Sequence, residues 1–303
     1  MGPTQRWIVK ASERLGTLLE RADAAAALAD GRVFVNGRRT TEASLELEPG
    51  ARVEVYRARI AGPPPQILVE DRGLVVVSKP CGMATEPERR GAHQSLTHEV
   101  ARALGVPVAA VHALSRLDLG VSGAVLVGVS PEARQRAARL RAEGKLRRRY
   151  VAIAAATPEP PFGSWTSMIT TARETPRRRV STDGKPAVTH YRVTGVGSPV
   201  ASGRPCVLAL EPLTGRTHQL RVQSAEHAAP FFGDPTYGGP RQFVLSDGAV
   251  RAFDRIYLHA AWVELGPEQR VHVELPPEFS ALWQATGGAT GALENAVAVE
   301  LGA

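Results

Sequence analysis

Apolar positions along the chain repeat mostly with period two, the spacing of a strand with one buried face. Two such runs, starting at Ile67 and Leu74, flank a turn at Asp71-Arg72-Gly73, and the second ends at Lys79-Pro80. Further strand-like runs cover 124–129, 150–155, 188–196, 206–213 and 269–275. Helical spacing is confined to 95–104 and 131–144 in this part of the chain. Strands arrive in neighbouring groups, not in strict alternation with helices, which predicts an α+β fold with a mixed, largely antiparallel sheet.

The first sixty residues have their own pattern. Leu15, Leu18, Leu19 and Ala26 are spaced as one helix face, with Ser12 placed to cap it. A short strand, an Asn36-Gly37 turn and a basic exit follow, a hairpin signal, and 47–56 supplies a turn and another alternating strand. The proline-rich stretch 61–66 reads as an extended linker. The expected organisation is a small α/β module over 1–60, a linker over 61–66, a main domain over 67–287 and a flexible tail over 288–303, the tail being rich in small residues.

Composition narrows the function. The 303-residue chain is 43% hydrophobic, enough for a sizeable core, and its net charge of +7 favours a polyanionic partner. Eight cations and one acid crowd into 134–149, more than an ordinary solvated helix face carries. Cys81 and Cys206 are the only cysteines, which argues against a disulfide-stapled secreted domain, and no apolar run has the length of a membrane span. A cytoplasmic location is expected. The eight histidines lack metal-ligand spacing, there is no CxxC, and neither a GxGxxG nor a GxxxxGK[ST] loop occurs, so no metal and no cofactor is expected.

Candidate chemistry begins at Ser115, with SRLDLGVSG. A carboxylate, Asp118, stands where the chain turns into a buried strand, a place for a charge only if it is paired or used. Ser122 invites a hydrolase reading, but Ala124 stands where a nucleophile elbow needs glycine and no HGGG-like stretch precedes it. A second segment, 210–239, packs Arg216, His218, Gln219 and Arg221 into six residues. Read as a strand, THQLRV puts Arg221 among apolar neighbours, where it demands an anion, and Asp118 is the candidate. A third, RRRYVAI, carries Tyr150 at the mouth of an apolar strand behind a run of cations.

Together these segments resemble the RluA-type pseudouridine synthase family. Its motif HRLDxxTSG is matched by SRLDLGVSG, its strand-opening tyrosine by Tyr150, and its GRTHQIRVH by GRTHQLRVQ. ILVEDRGLVVVSKPCGM resembles the family's opening hairpin, and GDPTYGG and LHAAWVEL its closing segments. The resemblance implies a pseudouridine synthase core with Asp118, Tyr150 and Arg221 as catalytic residues, and Arg116, Arg216, His218 and Gln219 as substrate contacts. It also implies isomerisation of uridine without a cofactor. The expected partner is structured RNA, ribosomal RNA first and transfer RNA second, with no membrane and with the protein a monomer. The N-terminal region, with Arg14, Arg32, Arg38 and Arg39 around its helix-to-hairpin junction, resembles a small RNA-binding domain of ribosomal-protein type. Ser115, Val121 and Gln223 depart from the family's histidine, threonine and second histidine. Competing readings are a catalytically idle RNA-binding or ribosome-assembly factor and, last, a serine hydrolase.

Overall fold

The structure, a computed structural model, describes residues 9–10, 28, 33–36, 38–48, 50–51, 53–55, 63–87, 95–170, 178–200, 203–244 and 250–301. The chain divides into two compact units, Met1–Ala61 with Pro87–Ser95, and Gly62–Glu86 with Leu96–Ala303.

In the first unit, β1 (Val9–Lys10) pairs antiparallel with β4 (Glu46–Leu47), and β2 (Val33–Val35) lies between β3 (Arg38–Thr40) and β5 (Val53–Val55). β2 and β3 form the expected hairpin, with Asn36 at a φ of 49° that its short polar side chain tolerates. The helix expected from Ser12 lies outside the described residues except for Leu28, which is helical and buried; Arg14 and Arg32 lie outside them too.

The second unit is built on one sheet. β6 (Gln66–Asp71) and β7 (Leu74–Lys79) form the opening hairpin, with positive φ at Arg72 and Gly73 in its tight turn. After α1 (Leu96–Leu104) and β8 (His112–Ala113) comes β9 (Ser122–Gly128), buried along its whole length. Ser130 caps α2 (Pro131–Ala142) by accepting from the Ala133 amide, with proline at the first turn. Then follow β10 (Leu146–Ala154), β11 (Phe162–Ile169), β12 (Lys185–Val196) and β13 (Cys206–Pro212). The chain continues through α3 (Gln219–Glu226), a small hairpin of β14 (Gln242–Val244) and β15 (Val250–Ala252), β16 (Leu258–Leu265) and β17 (Arg270–His272). It ends in α4 (Pro277–Ala285) and α5 (Ala292–Ala298).

Strand order is β11-β12-β13-β10-β16-β9-β7-β6, with β17 on β16 and β8 on β9. Among the described pairings only β9–β16 is parallel, so the mixed, largely antiparallel α+β expectation is met. Alternation along β10 sends Tyr150, Ala152 and Ala154 into one apolar cluster and Val151, Ile153 and Ala155 into another.

Two expectations fail. THQLRV is not a strand: Gln219–Glu226 is helical, and Gln219 to Ser224 are all buried. A helix enclosed on all sides loses its amphipathic stripe, so Leu220 and Val222 mimicked strand alternation. The tail is not flexible over its described part either. Ala292, Leu293, Ala296 and Leu301 are buried, and the Trp262 indole donates to the Val297 carbonyl at 3.0 Å. Small residues make the docking: a Cβ on Gly195 of β12 would collide with Ala292.

Candidate active site

Asp118 sits in a turn that is fixed from behind. Its carbonyl accepts from the Val121 amide at 3.0 Å, the Leu119 carbonyl from Gly82 at 2.8 Å, and the Gly120 carbonyl from Ile256 at 2.9 Å. The Thr85 hydroxyl both donates to the Leu117 carbonyl and accepts from the Leu117 amide. Ser115 accepts from the Leu126 amide at 2.8 Å, so this departure from the family motif still ties the loop to β9. Val121 packs in the core at 1% exposure, where a hydroxyl would gain nothing. Gly123 does not serve a turn, as its place after Ser122 suggests. It lies inside β9, where a Cβ would overlap the Ala260 carbonyl of the neighbouring strand.

With its backbone immobile, Asp118 presents a carboxylate that is about one-quarter exposed, 27% by side chain. Arg221 Nη1 donates to Oδ2 at 2.8 Å. The anion demanded by Arg221 is therefore present, although the arginine arrives from a helix. The same guanidinium makes a two-pronged contact with Asp234, Nε to Oδ2 and Nη2 to Oδ1, each 2.7 Å. Burial works against the charge on Arg221, but its hydrogen bonds to Asp234 and the charge of Asp118 outweigh it and raise its pKa. Asp234 is the principal residue that sequence reading missed. Its signal was GDPTYGG, quoted only as a closing segment: Gly233 has a φ of 74°, and a Cβ there would overlap the Arg255 carbonyl.

His218 faces the other oxygen, Nε2 to Oδ1 at 3.7 Å, and its Nδ1 is 2.8 Å from the Tyr237 hydroxyl, which accepts from the Arg178 amide. Its φ of 57° is a left-handed conformation that a non-glycine residue adopts at a cost of about 1 kcal/mol or more. Burial lowers its pKa, more than Asp118 raises it, so the ring stays neutral below its usual range.

Tyr150 lies in β10 at 6% exposure, pairing with Leu210 and Ala260. Burial raises its pKa; Arg148 opposes this and Asp118 adds to it, which sets the phenol within the field of both. Arg116 is exposed and pairs with Glu86 at 3.3 Å, a surface contact worth about 0–1 kcal/mol that leaves it free to exchange partners. Arg216 is half-buried and donates from Nε to the Pro186 carbonyl.

Gln219 is not placed to touch a substrate. It is 4% exposed; Oε1 accepts from the Thr214 hydroxyl and the Arg216 amide, while Nε2 donates to the Val188 carbonyl and the Thr189 hydroxyl. Saturated in this way, it locks the loop that delivers His218 and Arg221. Gln223, where the family has histidine, does similar work: it accepts from Thr189 and donates to the Trp165 and Ala187 carbonyls.

Ser122 supports no hydrolase. It is 4% exposed, 2.8 Å from His259 Nδ1, and accepts from Arg255. His259 is 2% exposed behind it, so no acyl group can reach the hydroxyl.

Comparison with known proteins agrees with this geometry. The family described as RNA pseudouridylate synthase matches residues 73–226. Ribosomal large subunit pseudouridine synthase D of Escherichia coli O157:H7 is 30% identical over 276 residues, 84% of this chain and 82% of that protein. The dual-specificity RNA pseudouridine synthase RluA of Salmonella typhi is 32% identical over 205 residues, 65% of this chain and 87% of that protein. Among solved structures, human RNA pseudouridylate synthase domain containing 1 superposes with a TM-score of 0.57 at 21% identity, covering 79% of this chain and 97% of that one; this likeness speaks to the fold. A carboxylate fixed on a buried arginine, and a match that runs from the opening hairpin through α3, make this chain a member of the RNA pseudouridylate synthase family, an isomerase of RluA type.

Proposed function

We propose that this protein converts particular uridines of structured RNA, ribosomal RNA in the first instance, to pseudouridine, as a cytoplasmic monomer. The observation that carries the reading is the Asp118 carboxylate, held by Arg221 through one oxygen with the other facing His218 at 3.7 Å. Relatives named for ribosomal large subunit and dual-specificity RNA substrates support the choice of RNA. Among the described residues, no helix is long and apolar enough to cross a membrane.

Isomerisation breaks the C1′–N1 bond, turns the uracil, and joins C1′ to C5; the C5 proton leaves and N1 takes one up. Composition and oxidation state do not change. The reaction needs an ionised carboxylate at the ribose, acting as nucleophile or base, and Asp118 supplies it. Arg221 keeps that carboxylate charged and aimed, and Asp234 on the arginine's far side stops it from rotating away. Tyr150 offers an aromatic face for a base taken out of its stack, an interaction worth about 1–3 kcal/mol. Arg116, Arg216 and His218 are the side chains we assign to flanking nucleotides or the ribose. An idle binding protein is the weaker reading, because the whole Asp118–Arg221–Asp234 array is intact.

The test uses ribosomal RNA tritiated at uridine C5, prepared from a strain lacking this gene. Formation of the C5–C1′ bond releases tritium to water, and wild-type protein is expected to release it. No release from ribosomal or transfer RNA overturns the enzymatic reading; release from transfer RNA alone replaces the substrate.

A further inference from the structure

The basic run 134–149 looks uniform in sequence, but the structure sorts it. Arg136 pairs with Asp71 at 2.6 Å, Lys145 with Glu143 at 2.9 Å, and Arg147 and Arg149 both with Glu211. Arg134 and Arg139 stand in the fields of Glu132 and Glu143. Among the described residues none of Arg134, Arg139, Arg141 and Arg148 has a carboxylate within 4 Å, and of these Arg141 and Arg148 donate to backbone carbonyls. Burial, and then the charge of Arg148, lowers the pKa of Arg141.

Both guanidinium groups are held at the site. Arg141 Nη2 donates to the Leu114 carbonyl at 2.9 Å, at the start of the loop leading to Asp118. Arg148 Nη2 reaches the Pro212 and Thr214 carbonyls only at 3.5 and 3.4 Å, on the loop leading to Arg221, and Gly215 leaves room beside it. Arg148 shares a strand face with Tyr150, and its Nε is buried without a hydrogen-bond partner. Two arginines tied to the loops that lead to Asp118 and Arg221, one with an unsatisfied buried donor, describe a site prepared for an anion.

We propose that Arg141 and Arg148 form a phosphate clamp that holds an RNA backbone phosphodiester next to the uridine presented to Tyr150. The inference rests on the RNA-modifying reading above. The planar forks suit a phosphodiester's two non-bridging oxygens, and the clamp anchors the strand to both loops that carry the reacting side chains. It adds a fixed point near the turned-out base, where the general basic surface gives only attraction.

The test measures binding of a fluorescent RNA hairpin with a uridine-containing loop between about 50 and about 200 mM salt. Arg141→Gln and Arg148→Gln are each expected to lower the slope of log affinity against log salt by about 0.7–0.9, and to weaken binding roughly fivefold to tenfold. The double variant should lose about the same slope as either single one, because both arginines answer one phosphate. Arg136→Gln, whose charge Asp71 already answers, is expected to leave the slope unchanged. Arg148→Lys keeps the charge and should keep the slope, which separates loss of a phosphate contact from loss of folding. Unchanged slopes in both glutamine variants overturn the clamp. So does a fall in turnover without a change of slope, because that marks a contact to the neutral base. If the wild type binds with a steep slope that both variants reduce, yet releases no tritium, the enzymatic reading fails and the clamp stands.

Discussion

Strand β10 delivers arginines to both faces of the central sheet, and the two faces treat them differently. On one face Arg147 and Arg149 meet Glu211, while Arg270 meets Glu264 at 2.6 Å and Glu300 reaches both Arg147 and Arg270. The three guanidinium groups lie over the Trp262 ring, 4.4 to 6.0 Å from its centroid, and Arg149 also donates to the Ala296 and Val299 carbonyls of the C-terminal segment. Three cations face three acids, and the C-terminal helix closes over them. On the other face, Asp118 keeps one oxygen beyond direct hydrogen-bond reach of His218, and Arg141 and Arg148 have no acid. The closed cluster holds the fold together; the open one is where we propose that a ribose and a phosphate are met. An arginine–carboxylate pair is thus no sign of function by itself. What sets the open face apart is that, among the described residues, Arg141 and Arg148 have no carboxylate within 4 Å, since a buried nitrogen without a partner also occurs at Arg149 on the closed face.

The largest expected effect breaks the open face at its centre. Asp118→Asn keeps shape but cannot act as nucleophile or base, so tritium release should fall roughly a thousandfold, while RNA affinity stays within about threefold. Residual turnover above about a tenth of wild type removes Asp118 from the chemistry.

The next pair of variants compares the faces directly. Asp234→Ala and Glu211→Ala each strip a carboxylate from a buried arginine, and each should cost about 3–5 kcal/mol in urea unfolding. Turnover per folded molecule should collapse in Asp234→Ala, since Arg221 is no longer held against Asp118, and persist in Glu211→Ala. Loss of turnover in folded Glu211→Ala protein would dissolve the distinction between the faces.

Tyr150 sharpens it on a finer scale. Tyr150→Phe keeps the ring and should leave RNA affinity within about twofold, whereas Tyr150→Ala should lose the stacking contribution of about 1–3 kcal/mol. Wild-type behaviour of both makes Tyr150 a core residue of the same kind as Ala152 and Ala154.

Much of this was legible in the sequence because strand alternation and tight turns are local. The hairpin of β6 and β7, the helical spacing that opens at Pro131 and the buried run of β9 follow from neighbours in the chain. Asp118 and Arg221 were legible as a pair because a charge at an apolar boundary requires a partner. What was hidden depended on tertiary enclosure. The helix of Gln219–Glu226 is buried on every side, so its period was masked, and with it the inward role of Gln219. Asp234 was hidden because its partner is 13 residues away, with a helix end and the connection over 227–233 between them. The sorting of 134–149 into answered and unanswered cations needs the positions of Asp71 and Glu211, which no local pattern supplies.

The smallest expected effect separates two histidines by face. His259, on the closed side, is enclosed between Ser122 and the Val273 carbonyl, near the Phe279 ring. Burial, and then the charge of Arg255, push its pKa down to about 3, whereas in the unfolded chain a histidine titrates near about 6.5. Below that value the unfolded chain binds a proton that the native state refuses, so stability falls as pH falls and is flat above it on this account. The slope approaches about 1.4 kcal/mol per pH unit between about 6.5 and about 3. His218 also stays neutral below its usual range, but it faces Asp118, so its protonation should be read in turnover. Asparagine at position 259 can still accept from Ser122 and does not titrate. Between pH values about one unit above and one unit below 6.5, wild type should therefore lose about 1.4 kcal/mol more than His259→Asn in urea unfolding, with the pH profile of turnover unchanged in the variant. Equal losses in the two proteins would mean that His259 is not the neutral, enclosed group of the closed face. A shifted turnover profile would mean that the closed face reaches into the chemistry.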